Sequence, residues 1–99
     1  MSTAMSPVQI FVNEGTGVSV TGTLDVTTVA GLNRAVCDFF EFEHAGGIDV
    51  LTLDLSTVTF CDESALAAVR HARAVCTDHE VALRVIPSEA VRHAMRQRP

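Results

Sequence analysis

From Val50 to Val69 the chain reads Val-Leu-Thr-Leu-Asp-Leu-Ser-Thr-Val-Thr-Phe-Cys-Asp-Glu-Ser-Ala-Leu-Ala-Ala-Val. The stretch changes period once. Leu51, Leu53 and Leu55 alternate with Thr52 and Asp54, the two-residue repeat of a strand with one buried face. The spacing predicts a turn through Phe60-Cys61, and everything after Asp62-Glu63-Ser64 reads as helix. A strand that delivers two carboxylates and a hydroxyl to the first turn of a helix makes a compact, polar presentation site. The unpaired N–H groups and positive dipole end of that helix stabilise negative charge there. Locally, Asp62 is suited to cap the helix and Glu63 to sit in its first turn.

Ninety-nine residues are enough for one buried core and too few for two. An apolar fraction of 47% belongs to packed globular chains rather than disordered ones. No apolar run nears the roughly 18 residues of a membrane span, and Met1 to Ser6 has no secretory n-region or h-region. A cytoplasmic location without membrane insertion is therefore expected. Net charge is −5 and unevenly spread. Up to Val69 nine acidic residues face Arg34 alone; from Arg70 onward there are three acids and six arginines. An acidic first two-thirds disfavours nucleic acid and favours a protein partner with a basic surface.

Val8 to Asn13 reads as a first strand, Gly15-Thr16-Gly17 as a turn, and Val18, Val20 and Leu24 as one face of a second. Together they suggest a β-hairpin closed by Gly22-Thr23-Leu24-Asp25. Thr27 or Thr28 then opens a helix with the apolar stripe Val29, Leu32, Val36, Phe39 and Phe40, its polar side carrying Arg34, Asp38 and Glu41. Gly46-Gly47 ends that region before the central strand. Leu66, Val69, Ala72 and Cys76 form the stripe of the second helix, with Arg70, His71 and Arg73 outside. Val81 to Ile86 is a short strand. Pro87-Ser88 starts a last helix, with Val91 and Met95 inward and Arg92, Arg96 and Arg98 toward its C-terminal end. The order β-β-α-β-α-β-α predicts an α/β fold, a small mixed sheet with helices mainly on one side. Residues 1–7 read as a flexible tail and 8–99 as a single domain.

Three cysteines, Cys37, Cys61 and Cys76, are odd in number and irregularly spaced, which argues against a disulfide framework. They read as small apolar fillers. Cys61 is the one to watch, because a thiol beside a helix N-terminus can have a lowered pKa, an effect that Asp62 and Glu63 oppose. Cys76 and His79 have no second close pair to make a zinc site, so no metal is expected. His44, His71, His79 and His93 are scattered and read as solvated. No nucleophile–base set, phosphate loop or paired-carboxylate pattern stands out, so neither an enzyme nor a cofactor is expected. Asp25 and Asp62 both sit where strands leave the sheet, an arrangement better suited to recognition than to acid–base chemistry.

The element order resembles the STAS domain, the fold of bacterial anti-sigma-factor antagonists. The resemblance rests on Gly22-Thr23-Leu24-Asp25 and on Leu53-Asp54-Leu55-Ser56 through Asp62-Glu63-Ser64-Ala65-Leu66. It covers roughly residues 8 to 96, and relatives usually continue for another strand and helix. In that family the site reads Asp, phosphorylatable Ser, Ser or Thr, Gly. The partner kinase is itself the anti-sigma factor; the unphosphorylated antagonist binds it, and phosphorylation abolishes binding. Here Asp62 matches the aspartate, Ser64 the second hydroxyl residue and Asp25 the acidic residue that contacts the kinase. Glu63 stands where the phosphoserine should be, and Ala65 replaces the glycine.

Glutamate carries a fixed charge of −1, against about −1.5 to −2 for phosphoserine, and a serine kinase cannot modify it. Three readings follow: an off-like state, a partner that tolerates the carboxylate, or Ser64 as the new acceptor. The resemblance implies a non-enzymatic regulatory module. It would bind a histidine-kinase-like anti-sigma factor through Asp25, Thr59, Asp62, Glu63 and Ser64. Two rivals stand beside it: an accessory subunit of a transporter ATPase, and a redox-sensing regulator acting through Cys61.

Overall fold

The computed structural model describes residues 8–13, 16–43 and 49–96. Strands β1 (Val8–Asn13) and β2 (Gly17–Leu24) lead into helix α1 (Val29–Asp38), which continues as a π-helical turn over Phe39–Glu43. After β3 (Val50–Cys61) come α2 (Glu63–Asp78), β4 (Ala82–Ile86) and α3 (Glu89–Arg96). Among the described residues the sheet runs β1-β2-β3-β4, with β1 antiparallel to β2 and the other two pairs parallel. The mixed α/β architecture expected from the sequence is therefore the one observed. Gly15, His44, Gly46, Gly47, Arg98 and the expected tail over 1–7 lie outside the described residues.

The core is built where the periodicities said. Leu51, Leu53 and Leu55 are fully buried, each burial contributing about 1.5–3 kcal/mol. Val18, Val20 and Leu24 from β2 join them, as do Leu32 and Val36 from α1 and Ala72 and Cys76 from α2. Phe39 and Phe40 are adjacent yet both buried. A regular helix turns successive side chains about 100° apart; the wider π turn is where the chain brings both inward.

Several expectations needed correction. Gly22-Thr23-Leu24 does not close the hairpin but lies within β2; the turn is at its other end, where Thr16 N–H donates to Asn13 C=O (3.0 Å). Gly17 starts β2 so close to β3 that a Cβ there would overlap the Thr52 carbonyl and come within 2.7 Å of its nitrogen. Phe60-Cys61 is strand rather than turn. Met95 is 46% exposed, so Val91 alone of the expected pair is buried on α3. Cys37 is exposed and Cys61 half-buried, which leaves Cys76 as the one truly buried cysteine.

The strand β3 also slips phase. Burial alternates through Leu55 and resumes at Val58, three residues on. The pairing with β2 shifts at two places, between Ser19 and Thr21 and between Gly22 and Thr23. At the first shift the Asp54 carboxylate accepts from the Ser56 N–H (3.0 Å) and hydroxyl (2.6 Å). The carboxylate satisfies a backbone donor that an irregular ladder frees, which gives Asp54-Leu55-Ser56 a physical role. The same two bonds hold the Asp54 carboxyl below its usual pKa, the side-chain bond from Ser56 most.

Candidate functional site at the carboxyl edge of the sheet

Parallel neighbours end at the same edge of a sheet, so the segments that follow them are brought together. Here β2 and β3 finish in register, with Leu24 paired to Cys61, and Asp62 N–H donates to Leu24 C=O (3.3 Å). Asp25 and Asp62, each the first residue beyond its strand, are thereby delivered to one edge.

The Asp25 loop is tightly tied. Its carboxylate accepts from the Thr27 hydroxyl (2.6 Å) and N–H (2.9 Å), and at longer range from the Thr28 hydroxyl (3.4 Å). These bonds hold the Asp25 carboxyl below the usual range, the Thr27 hydroxyl contributing most. Thr28, the N-terminal flanking residue of α1, makes no side-chain cap. Its buried hydroxyl instead donates back to Thr23 C=O (3.0 Å) and accepts from Asp25 N–H (2.9 Å). It cross-braces the end of β2 against the start of the loop.

The β3–α2 junction is simpler. Asp62 is extended and caps α2, its carboxylate accepting from Ser64 N–H (2.8 Å). Glu63 follows in the first turn and is exposed; Ser64 is half-buried. Thr59 is exposed on β3, at the second register shift, where Gly22 pairs with Val58 and Thr23 with Phe60, leaving Thr59 between them. All five residues singled out from the sequence thus lie in or beside the two junctions.

Sequence reasoning missed two features. Val26 and Phe60 are 70% and 54% exposed, large apolar residues one position after Asp25 and two before Asp62. Val26 is legible as an apolar residue in a polar turn; the exposure of Phe60 is not, because it depends on β3 continuing through Phe60-Cys61 after its phase slip. The second is a groove of about 300 Å³ between the start of α2 and α3, lined by Cys61, Asp62, Glu63, Leu66, Ala90 and His93. It depends on where α3 docks, which no local pattern reveals.

The Cys61 thiol donates to Ala90 C=O (3.4 Å), joining β3 to α3. Burial pushes its pKa up, and the neighbouring Asp62 charge adds to that. The helix N-terminus therefore does not produce an activated thiolate here. Among the described residues, no group of three His, Cys, Asp or Glu side chains is placed to hold a metal ion, and no helix is long and apolar enough to cross a membrane. What the edge presents is fixed negative charge flanked by exposed apolar surface, an arrangement suited to binding a protein.

No curated protein matches the chain. The STAS domain matches residues 8–98, and STAS domains are generally non-catalytic regulatory or binding modules. With the mixed sheet and the two strand-end junctions already described, that match assigns the chain to the STAS-domain family.

Proposed function

We propose that this chain is a regulatory binding module of the anti-sigma-factor antagonist type, with a kinase-type anti-sigma factor as its partner. The observation that carries the reading is the pairing of Leu24 with Cys61. It sets Asp25 beside Asp62 and Glu63 at an edge flanked by exposed Val26 and Phe60. The carboxylates supply specificity and steering toward a basic surface, and the apolar pair supplies area to bury. Thr59 and Ser64 complete the contact region.

Glu63 occupies the place of the switch serine. Its charge is permanent, so the ordinary on–off cycle at that position is replaced by a constant bias against a kinase surface built to reject phosphoserine. Ser64 is the remaining hydroxyl. Phosphate there would gain from the helix dipole but sit next to two carboxylates, so transfer to Ser64 should be slow.

Mixing the purified protein with candidate anti-sigma kinases and, separately, with an ABC-type transporter ATPase tests the reading. Co-purification of a kinase, lost on Asp25→Ala, is the expected result. Retention of the transporter ATPase alone would overturn it in favour of an accessory subunit. Mass spectrometry after incubation with kinase and ATP should find any label on Ser64; rapid, stoichiometric label on Thr57 or Thr59 would contradict the assignment.

A further inference from the structure

Among the described residues, β1 and β4 are the edge strands of the sheet, and they differ in what they offer an approaching strand. At its centre β4 carries an exposed Arg84. A second copy pairing there about a two-fold axis would oppose two guanidinium groups, so that edge resists self-association. The β1 sequence, Val-Gln-Ile-Phe-Val-Asn, has no charge and no proline, and it is rich in β-branched and aromatic residues. Phe11 is 52% exposed and Val12 38%. In the sequence Pro7 precedes this uncharged run and Glu14 follows it.

We infer that β1 is a self-pairing edge, through which two copies of this chain associate as an antiparallel two-fold dimer. Symmetry restricts the register. A two-fold axis that joins two edge strands into one sheet runs perpendicular to that sheet, so opposed residues share a face and have the same parity. The faces are known from the pairing with β2. Ile10 and Val12 lie opposite buried Val20 and Val18, on the helix side, whereas Phe11 lies opposite Ser19 on the other side. The register that places Phe11 on the axis puts like against like in every pair. Phe11 meets Phe11 of the second copy, Ile10 meets Val12, and the Gln9 amide meets that of Asn13. Aromatic and aliphatic cross-strand pairs of this kind stabilise antiparallel ladders, and no like charges are brought together. Five residue pairs make a small interface, so the dimer is weak and reversible. It forms along the side of the sheet and leaves the Asp25–Asp62 edge open, independently of what that edge binds.

Sedimentation velocity over a low-micromolar to near-millimolar range tests the inference on three proteins. The wild type should rise from monomer toward dimer mass. Phe60→Lys, which alters another exposed aromatic, should rise in the same way. Phe11→Lys opposes two ammonium groups on the axis and should weaken association at least about tenfold, remaining monomeric. A wild type that stays monomeric throughout, a dimer that survives Phe11→Lys, or one abolished by Phe60→Lys would overturn the proposal. If Phe11→Lys fails to fold, amide hydrogen exchange on the wild type decides. Residues 9–13 should gain protection as concentration rises, and unchanged exchange there would count against pairing.

Discussion

The two junctions at the carboxyl edge do the same job by different means. Each begins with an aspartate immediately after a parallel strand and leads into a helix, yet Asp25 and Asp62 are held differently. The Asp25 carboxylate collects three hydrogen bonds from Thr27 and Thr28, and the Thr28 hydroxyl ties the loop back to Thr23. Asp62 makes one side-chain bond, to the N–H of Ser64, and next to it Glu63 is exposed. One junction is a braced frame. The other is a capped helix start whose next residue is free to vary. A substitution at position 63 therefore changes the charge of the edge without disturbing what holds it.

The largest effect is expected from removing the floor that the junctions share. Leu24 is fully buried at the end of β2, next to Cys61 in register. Leu24→Ala should cost about 2–5 kcal/mol in chemical denaturation and loosen both junctions together. Next comes the brace. Thr28→Val keeps the shape of a buried residue while removing the hydroxyl that Thr23 and Asp25 use. A loss of about 1–3 kcal/mol is expected, because both backbone groups lose their partner. Asp62→Ala removes only a helix cap and should cost about 1 kcal/mol in the same measurement. If Asp62→Ala proved the more damaging of the two, the ranking of frame over cap would be reversed.

The smallest expected effect is a pH dependence at the Asp25 junction. Hydrogen bonds from Thr27 lower the Asp25 carboxyl in the folded protein, whereas in the unfolded chain an aspartate titrates at about 4. A depressed folded pKa stabilises fully above the unfolded value and loses that contribution as the pH falls from there through the lowered folded value. Stability of the wild type should thus decline below about pH 4, and Asp25→Asn should flatten part of that decline. Asp54, lowered by Ser56, contributes in the same direction, so Asp54→Asn should flatten another part. An acid limb unchanged in both variants would show that these bonds do not persist in solution.

What the sequence revealed and what it hid follow the range of the interactions involved. Leu51, Leu53 and Leu55 could be read because alternation is local. The phase slip after Leu55 could not, since it arises from how β3 meets β2, although the Asp54-Leu55-Ser56 motif marked the place. The Asp62 cap was legible because its partner is two residues away. Thr27 or Thr28 reads as the opening of a helix, but the Thr28 hydroxyl turns back to Thr23, a choice made by the end of the strand rather than by the helix. Phe39 and Phe40 fit an ordinary helical stripe in the sequence, and the π turn that buries both is not something that periodicity predicts. Met95 and the groove beneath α3 depend on docking, and no periodicity carries that information.

We propose that Glu63 is a fixed charge in the place of a switch, on a frame that does not depend on it. Glu63→Ser should alter stability by only about 0.3–1 kcal/mol, the worth of a dipole interaction in a first helical turn. Binding should respond far more. A desolvated carboxylate without a partner costs about 2–5 kcal/mol, or roughly thirty- to several-thousand-fold in affinity. Calorimetry of both proteins against the proposed kinase-type partner without nucleotide is the most direct measurement. Tighter binding by Glu63→Ser is expected, collapsing when ATP allows the kinase to phosphorylate position 63. Equal or tighter binding by the wild type would mean that the partner holds a basic pocket for Glu63, and the claim would be contradicted.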